Sequence, residues 1–170
     1  MTQKELVKLA QQGNHDAFCA LYDERKTALF RYAYYRLGSV EDAQDAVSDT
    51  VLSAFLQIKE VRNPSAFNVW LYKILSASCN KYIKNQVDSR QNVDIETLVN
   101  ITSNEKIPDG TTTDLIHALD TLSDSDRQIV LLSAVSGFNS KEIAKITGLT
   151  STAVRSRLSR ALSKMRSILE

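Results

Sequence analysis

A chain of 170 residues with 43% hydrophobic and 24% charged residues is globular and fits one ordinary domain or two small ones, which excludes a disordered or fibrous protein. Cys19 and Cys79 have no CxxC spacing, and with only His15 and His117 beside them neither a zinc site nor a disulfide framework is expected, nor any cofactor. The opening MTQKELVKLAQQGN has no apolar signal region and no stretch approaches the about 18 apolar residues of a membrane span, so the expectation is a cytoplasmic protein without direct membrane insertion. The net charge of +1 points to no partner, but its distribution does: residues 1–91 sum to +2, residues 92–126 to −7 and residues 127–170 to +6. A neutral head, an acidic middle and a basic tail suggest two modules and a connector.

In chain order, start and stop signals recur at helical spacing and no alternating strand pattern occurs, which predicts an all-α fold. Thr2 with Glu5 forms a capping box for a first short helix that Gly13 can end. Asn14 opens one helix running through Phe18, Leu21, Tyr22, Leu29 and Ala33 to Gly38. Ser39 with Asp42 boxes the start of VEDAQDAVSDTVLSAFLQI, where Ala43, Ala46, Val47, Thr50, Val51, Ala54 and Ile58 keep a helical apolar stripe. Pro64 breaks the chain and Ser65 caps a helix with Phe67, Trp70, Leu71, Ile74 and Leu75 facing inward. These segments predict a helical unit over 1–87. Periodicity fades over 88–112, a polar, acidic linker with Pro108 and Gly110 in which Val93, Ile95, Leu98, Val99 and Ile101 allow part to dock or form a short helix. A second helical module over 113–170 holds DLIHALDTL, a helix boxed by Ser123 and Asp126 and ended at Gly137, NSKEIAKITG, and the run LTSTAVRSRLSRALSKMR.

That last run, residues 149–166, carries four arginines, one lysine and no carboxylate. With NSKEIAKITG before it, it has the form of a helix-turn-helix: Ile143 and Ala144 pack, Gly148 turns, Leu149 plugs, and Val154, Leu158, Ala161 and Met165 face inward. Thr152, Arg155, Ser156 and Ser159 are then left outside near the N-terminal end, where such motifs meet base edges, with Arg157, Arg160, Lys164 and Arg166 placed for phosphates. Charge complementing the helix dipole accounts for Lys164 and Arg166. It does not account for Arg155 and Arg157, which lie toward the end where cations are unfavourable.

In the first module, Glu41, Asp45 and Asp49 recur at i, i+4 and i+8 with Asp42 beside them. By itself this stripe reads as solvated surface whose first-turn acids suit the dipole. Lys73, Asn80, Lys81 and Lys84 share a polar face, preceded by Arg62 and Asn63 and interleaved with Phe67, Trp70, Tyr72 and Tyr82. Cations beside aromatic planes suit single-stranded DNA, although Trp70 at core spacing reads as packing rather than as a platform.

DAFCALYDERKTALFRYAYYRLGSVEDAQDAVSDTVLSAFLQI with FNVWLYKI resembles region 2 of bacterial sigma factors of the small extracytoplasmic-function (ECF) subgroup, and LSDSDRQIVLLSAVSGFNSKEIAKITGLTSTAVRSRLSRALSKMR resembles their region 4. The resemblance implies a promoter-specificity subunit of RNA polymerase. Asp45, Ser48 and Asp49 would then meet the β′ clamp helices of core polymerase, with the β flap a second contact. Arg62, Asn63, Lys73, Asn80, Lys81 and Lys84 would hold the minus-10 strand; Thr152, Arg155, Ser156, Arg157, Ser159 and Arg160 would read the minus-35 element. An anti-sigma factor is a further implied partner. Ser48 stands where the family usually has glutamine, and Leu75, Ser76, Ala77 and Lys81 replace the usual ARN and a later aspartate. The alternative is a stand-alone helix-turn-helix transcriptional regulator with an N-terminal sensing or dimerising domain. An enzyme is not expected, since no nucleophile–base arrangement, phosphate-cradling glycine loop or ligand cluster is present.

Overall fold

The computed structural model describes residues 1–90 and 110–170. All its regular structure is helical: α1 Gln3–Gln11, α2 His15–Asp23, α3 Lys26–Leu37, α4 Val40–Gln57 and α5 Phe67–Arg90 form the first module. The second holds α6 Gly110–Asp120, α7 Asp124–Ala134, α8 Ser140–Thr147 and α9 Ser151–Leu169. The hydrophobic residues at positions 93, 95, 98, 99 and 101 lie outside the described residues.

Local chemistry sets most helix starts. Thr2 accepts from the Glu5 amide while the Glu5 carboxylate takes the Thr2 N–H, a complete capping box. Asn14, Ser39, Ser123, Asn139 and Thr150 each accept an amide hydrogen in the first turn of α2, α4, α7, α8 and α9. At α4 the expected box is half formed, because the Asp42 carboxylate turns to the Gln86 amide at 2.6 Å instead of back to Ser39.

Two expectations are corrected. The single helix from Asn14 to Gly38 is broken at Glu24–Arg25, where Arg25 returns to the Leu21 carbonyl at 2.8 Å and reaches Asn68 of α5 at 2.6 Å. Its guanidinium also lies 5.1 Å from the Phe67 ring centroid, so a long-range anchor bends the chain there. The cap before α5 is Asn63, not Ser65: its side-chain oxygen accepts from both the amide and hydroxyl of Ser65, starting the 3₁₀ turn Pro64–Ala66.

In the first module, α4 presents Ala43, Ala46 and Ala54 toward the core, and these small side chains let α5 lie close against it. Leu21, Leu29, Tyr32, Phe67 and Leu75 fill the centre, all buried. Each such side chain contributes about 1.5–3 kcal/mol relative to exposure. The loop between α4 and α5 is clamped from α1: Gln11 donates to the carbonyls of Ile58 and Val61 at 3.0 and 2.8 Å, and Gln3 to that of Pro64 at 3.2 Å. In the second module Ile129, Leu132, Ile143, Val154 and Ala161 form the centre. The modules are also packed on each other, α7 against α3 and α8 against α5, and their buried apolar residues make one continuous cluster.

Candidate nucleic-acid and protein interfaces

The helix-turn-helix forms as its residues require. Gly148, at φ +81°, ends α8 and donates to the Ala144 carbonyl at 2.8 Å, a backbone conformation that costs any residue with a Cβ. Val154, Ala161 and Met165 turn inward from α9 with Leu158 half-buried, while Thr152, Arg155, Ser156 and Ser159 stand exposed on its outer side. Arg155 lies 3.4 Å from the Thr152 hydroxyl. Its neighbours divide: Arg160 remains on the exposed face, whereas Arg157 is drawn to the Ser125 hydroxyl at 2.7 Å and Lys164 to the Thr121 carbonyl at 2.9 Å. A DNA phosphate would have to compete with those internal acceptors for Arg157 and Lys164.

On α5, Lys73, Asn80, Lys81 and Lys84 are exposed, as is Arg62 in the loop before it. Asn63 lies beside Arg62, but its side-chain oxygen is committed to the cap. The Asn80 side-chain oxygen likewise accepts from Arg36. Of the aromatic residues, Phe67 and Tyr72 are buried; Trp70, tilted on Phe67, and Tyr82 are half-buried. Trp70 therefore packs mainly with the core.

The outer face of α4 carries more than its acids. Asp45, Ser48 and Asp49 are exposed, and continuing at helical spacing are Leu52 and Leu56, 60% and 71% exposed, with Phe55 nearby. Sequence patterning missed these leucines because they adjoin the core stripe; their offset from Val51 and Ala54 is the signal that could have separated them. Asp49 accepts from the Tyr82 hydroxyl at 2.8 Å, which pushes the Tyr82 phenol up to about 12 by favouring its protonated form, with slight burial and the Asp49, Asp45 and Asp42 charges adding to it. Carboxylates repel phosphates and exposed leucines seek apolar cover, so this face suits a protein surface and not DNA. The three faces thus differ in kind: acidic and apolar on α4, basic on α5, basic and hydroxylic on α9.

The sigma-70 region 2 family matches residues 21–88 and the sigma-70 region 4 family residues 112–165. The RNA polymerase sigma factor SigV of Bacillus subtilis is 33% identical over 143 residues, covering 84% of this chain and 85% of that protein. The ECF RNA polymerase sigma factor SigW of the same organism is 23% identical, covering 98% and 96%. Among solved structures, CnrH in complex with the cytosolic domain of CnrY has a TM-score of 0.76 at 24% identity, covering 98% of this chain and 96% of that one. The sigma factor RpoE in complex with the anti-sigma factor NepR from Bartonella quintana has a TM-score of 0.72 at 24% identity, covering 88% and 96%. Both describe the same two-module helical fold. With both regions present in order and one-third identity to SigV along most of both chains, this chain belongs to the sigma-70 family of RNA polymerase sigma factors, in its extracytoplasmic-function subgroup.

Proposed function

We propose that the chain directs core RNA polymerase to promoters through three separate faces, acting by binding with no chemical step of its own. Asp45, Ser48 and Asp49, extended by Leu52 and Leu56, meet the β′ clamp helices. Lys73, Asn80, Lys81 and Lys84 with Arg62 and Asn63 hold the displaced minus-10 strand, the cations meeting its phosphates. Thr152, Arg155, Ser156 and Ser159 read the minus-35 element in the major groove while Arg157 and Arg160 meet its phosphates, and the second module also takes the β flap. The observation that carries this reading is the acidic, leucine-bearing face of α4 beside a basic α5: a free-standing regulator would not need a protein-binding face of that chemistry next to a strand-binding one. CnrH and RpoE are solved with protein partners, which supports an anti-sigma factor as a partner of this chain also.

The test is gel filtration of the purified chain with bacterial core polymerase at moderate salt without DNA. Coelution at one copy per polymerase is expected, and Asp45→Lys with Asp49→Lys should weaken it by tenfold or more with helix content unchanged, about the value of two charged contacts. No coelution with a core competent for another sigma factor would turn the reading to a stand-alone regulator.

A further inference from the structure

The connector predicts two modules free to move, yet the structure holds them together through a specific set of groups. Arg36, on α3, is only 2% exposed. Within its own module it reaches the Tyr32 hydroxyl at 3.3 Å, the Ser76 carbonyl at 3.1 Å and the side-chain oxygen of Asn80. Among the described residues its carboxylate partner comes from the other module: Asp124, at the first turn of α7, accepts at 3.2 Å. Arg127, one turn on, donates to the Arg36 carbonyl at 3.4 Å. Beside them an aromatic row crosses the same seam, Tyr32 to Tyr72 at 5.7 Å and Tyr72 to Phe138 at 4.9 Å, both edge to face.

We propose that this seam is a latch: in the free chain Asp124, Arg127 and Phe138 dock on Arg36 and Tyr72, holding a closed state that must open before the protein can serve both promoter elements. The need to open rests on the function proposed above. Elements centred near positions −10 and −35 lie about 25 base pairs apart, which is about 85 Å of duplex at about 3.4 Å per pair. A closed chain of this length has a radius of gyration of about 15 Å and a diameter of about 40 Å. One docked body cannot reach both elements, although the outer faces of α4 and α9 are open in it.

The chemistry suits a latch that releases. Removing Arg36 from water offsets much of its attraction to Asp124, and its Nε finds no acceptor among the described residues. A cleft of about 380 Å³ runs along the seam, lined in part by Arg25, Tyr72, Ser136 and Phe138, so the modules do not pack closely throughout. A partner gripping both modules separately can therefore draw them apart.

The test uses the full chain. Small-angle X-ray scattering of the free protein should give a compact particle, and Asp124→Lys, which sets a cation against Arg36, should enlarge it with helix content unchanged. Asp124→Asn, milder and compatible with the helix start, should shift it part of the way. Because closure taxes every ligand that needs the open form, the Lys variant should bind core polymerase about tenfold more tightly, the value of one charge-assisted hydrogen bond. An already extended wild-type chain, or variants as compact as wild type, would overturn the latch. So would an opened variant whose polymerase affinity is unchanged. Failure of both wild type and variants to bind a core competent for another sigma factor would overturn the proposed function itself, and the inhibitory role with it.

Discussion

Tyr82 shows how one side chain joins two surfaces. Its hydroxyl crosses from α5 to Asp49 of α4, and its pKa stands at about 12 against an ordinary 10.0. A phenol raised in the folded state favours the fold at every pH below 10 and loses that contribution as pH rises through about 12. Asp49→Asn should bring the Tyr82 midpoint down toward its ordinary value in a titration followed by NMR of the ring. A midpoint left at about 12 would assign the shift to the remaining acids and burial. Asp49 was legible in sequence as part of an acidic stripe, but its tie to Tyr82 was not, because 33 residues separate the pair. Arg36 was harder still. In RYAYYRL it looks like a helix-surface cation, and only the approach of α5 and α7 buries it.

At the scale of the element, capping chemistry carried much of the reading. Thr2, Asn14, Ser39 and Ser123 cap the helices expected of them because an N-cap depends on residues three apart. A second complete capping box, Asn139 with Glu142, was not among those expected, although NSKE carries its three-residue spacing, and it starts the first helix of the helix-turn-helix. Asn139→Ala should destabilise the chain by about 1 kcal/mol, seen as a fall of about 2–4 °C in the thermal midpoint. An unchanged midpoint would show that tertiary packing alone holds α8. The break between α2 and α3 was invisible locally, since apolar spacing continues through it; Arg25 enforces it through Asn68 and Phe67, 43 and 42 residues away.

Across the whole molecule, surface chemistry distinguishes what the fold needs from what a partner needs. Leu52 and Leu56 are too exposed to contribute much to the core. Leu52→Ser with Leu56→Ser should accordingly leave the thermal midpoint nearly unchanged while weakening core polymerase binding about tenfold or more in a competition titration. A large loss of stability with unchanged binding would instead make them part of the packing. By itself the sequence determined the helix types, most of their starts, the two-module order and the family, because caps, apolar periodicity and motif spacing are encoded within a few neighbouring residues. Only the tertiary structure decided which side of α4 stays open, which cations are drawn inward, and that Arg36 meets Asp124 across 88 residues. Those outcomes depend on which distant surfaces exclude water from one another, and no local pattern records that.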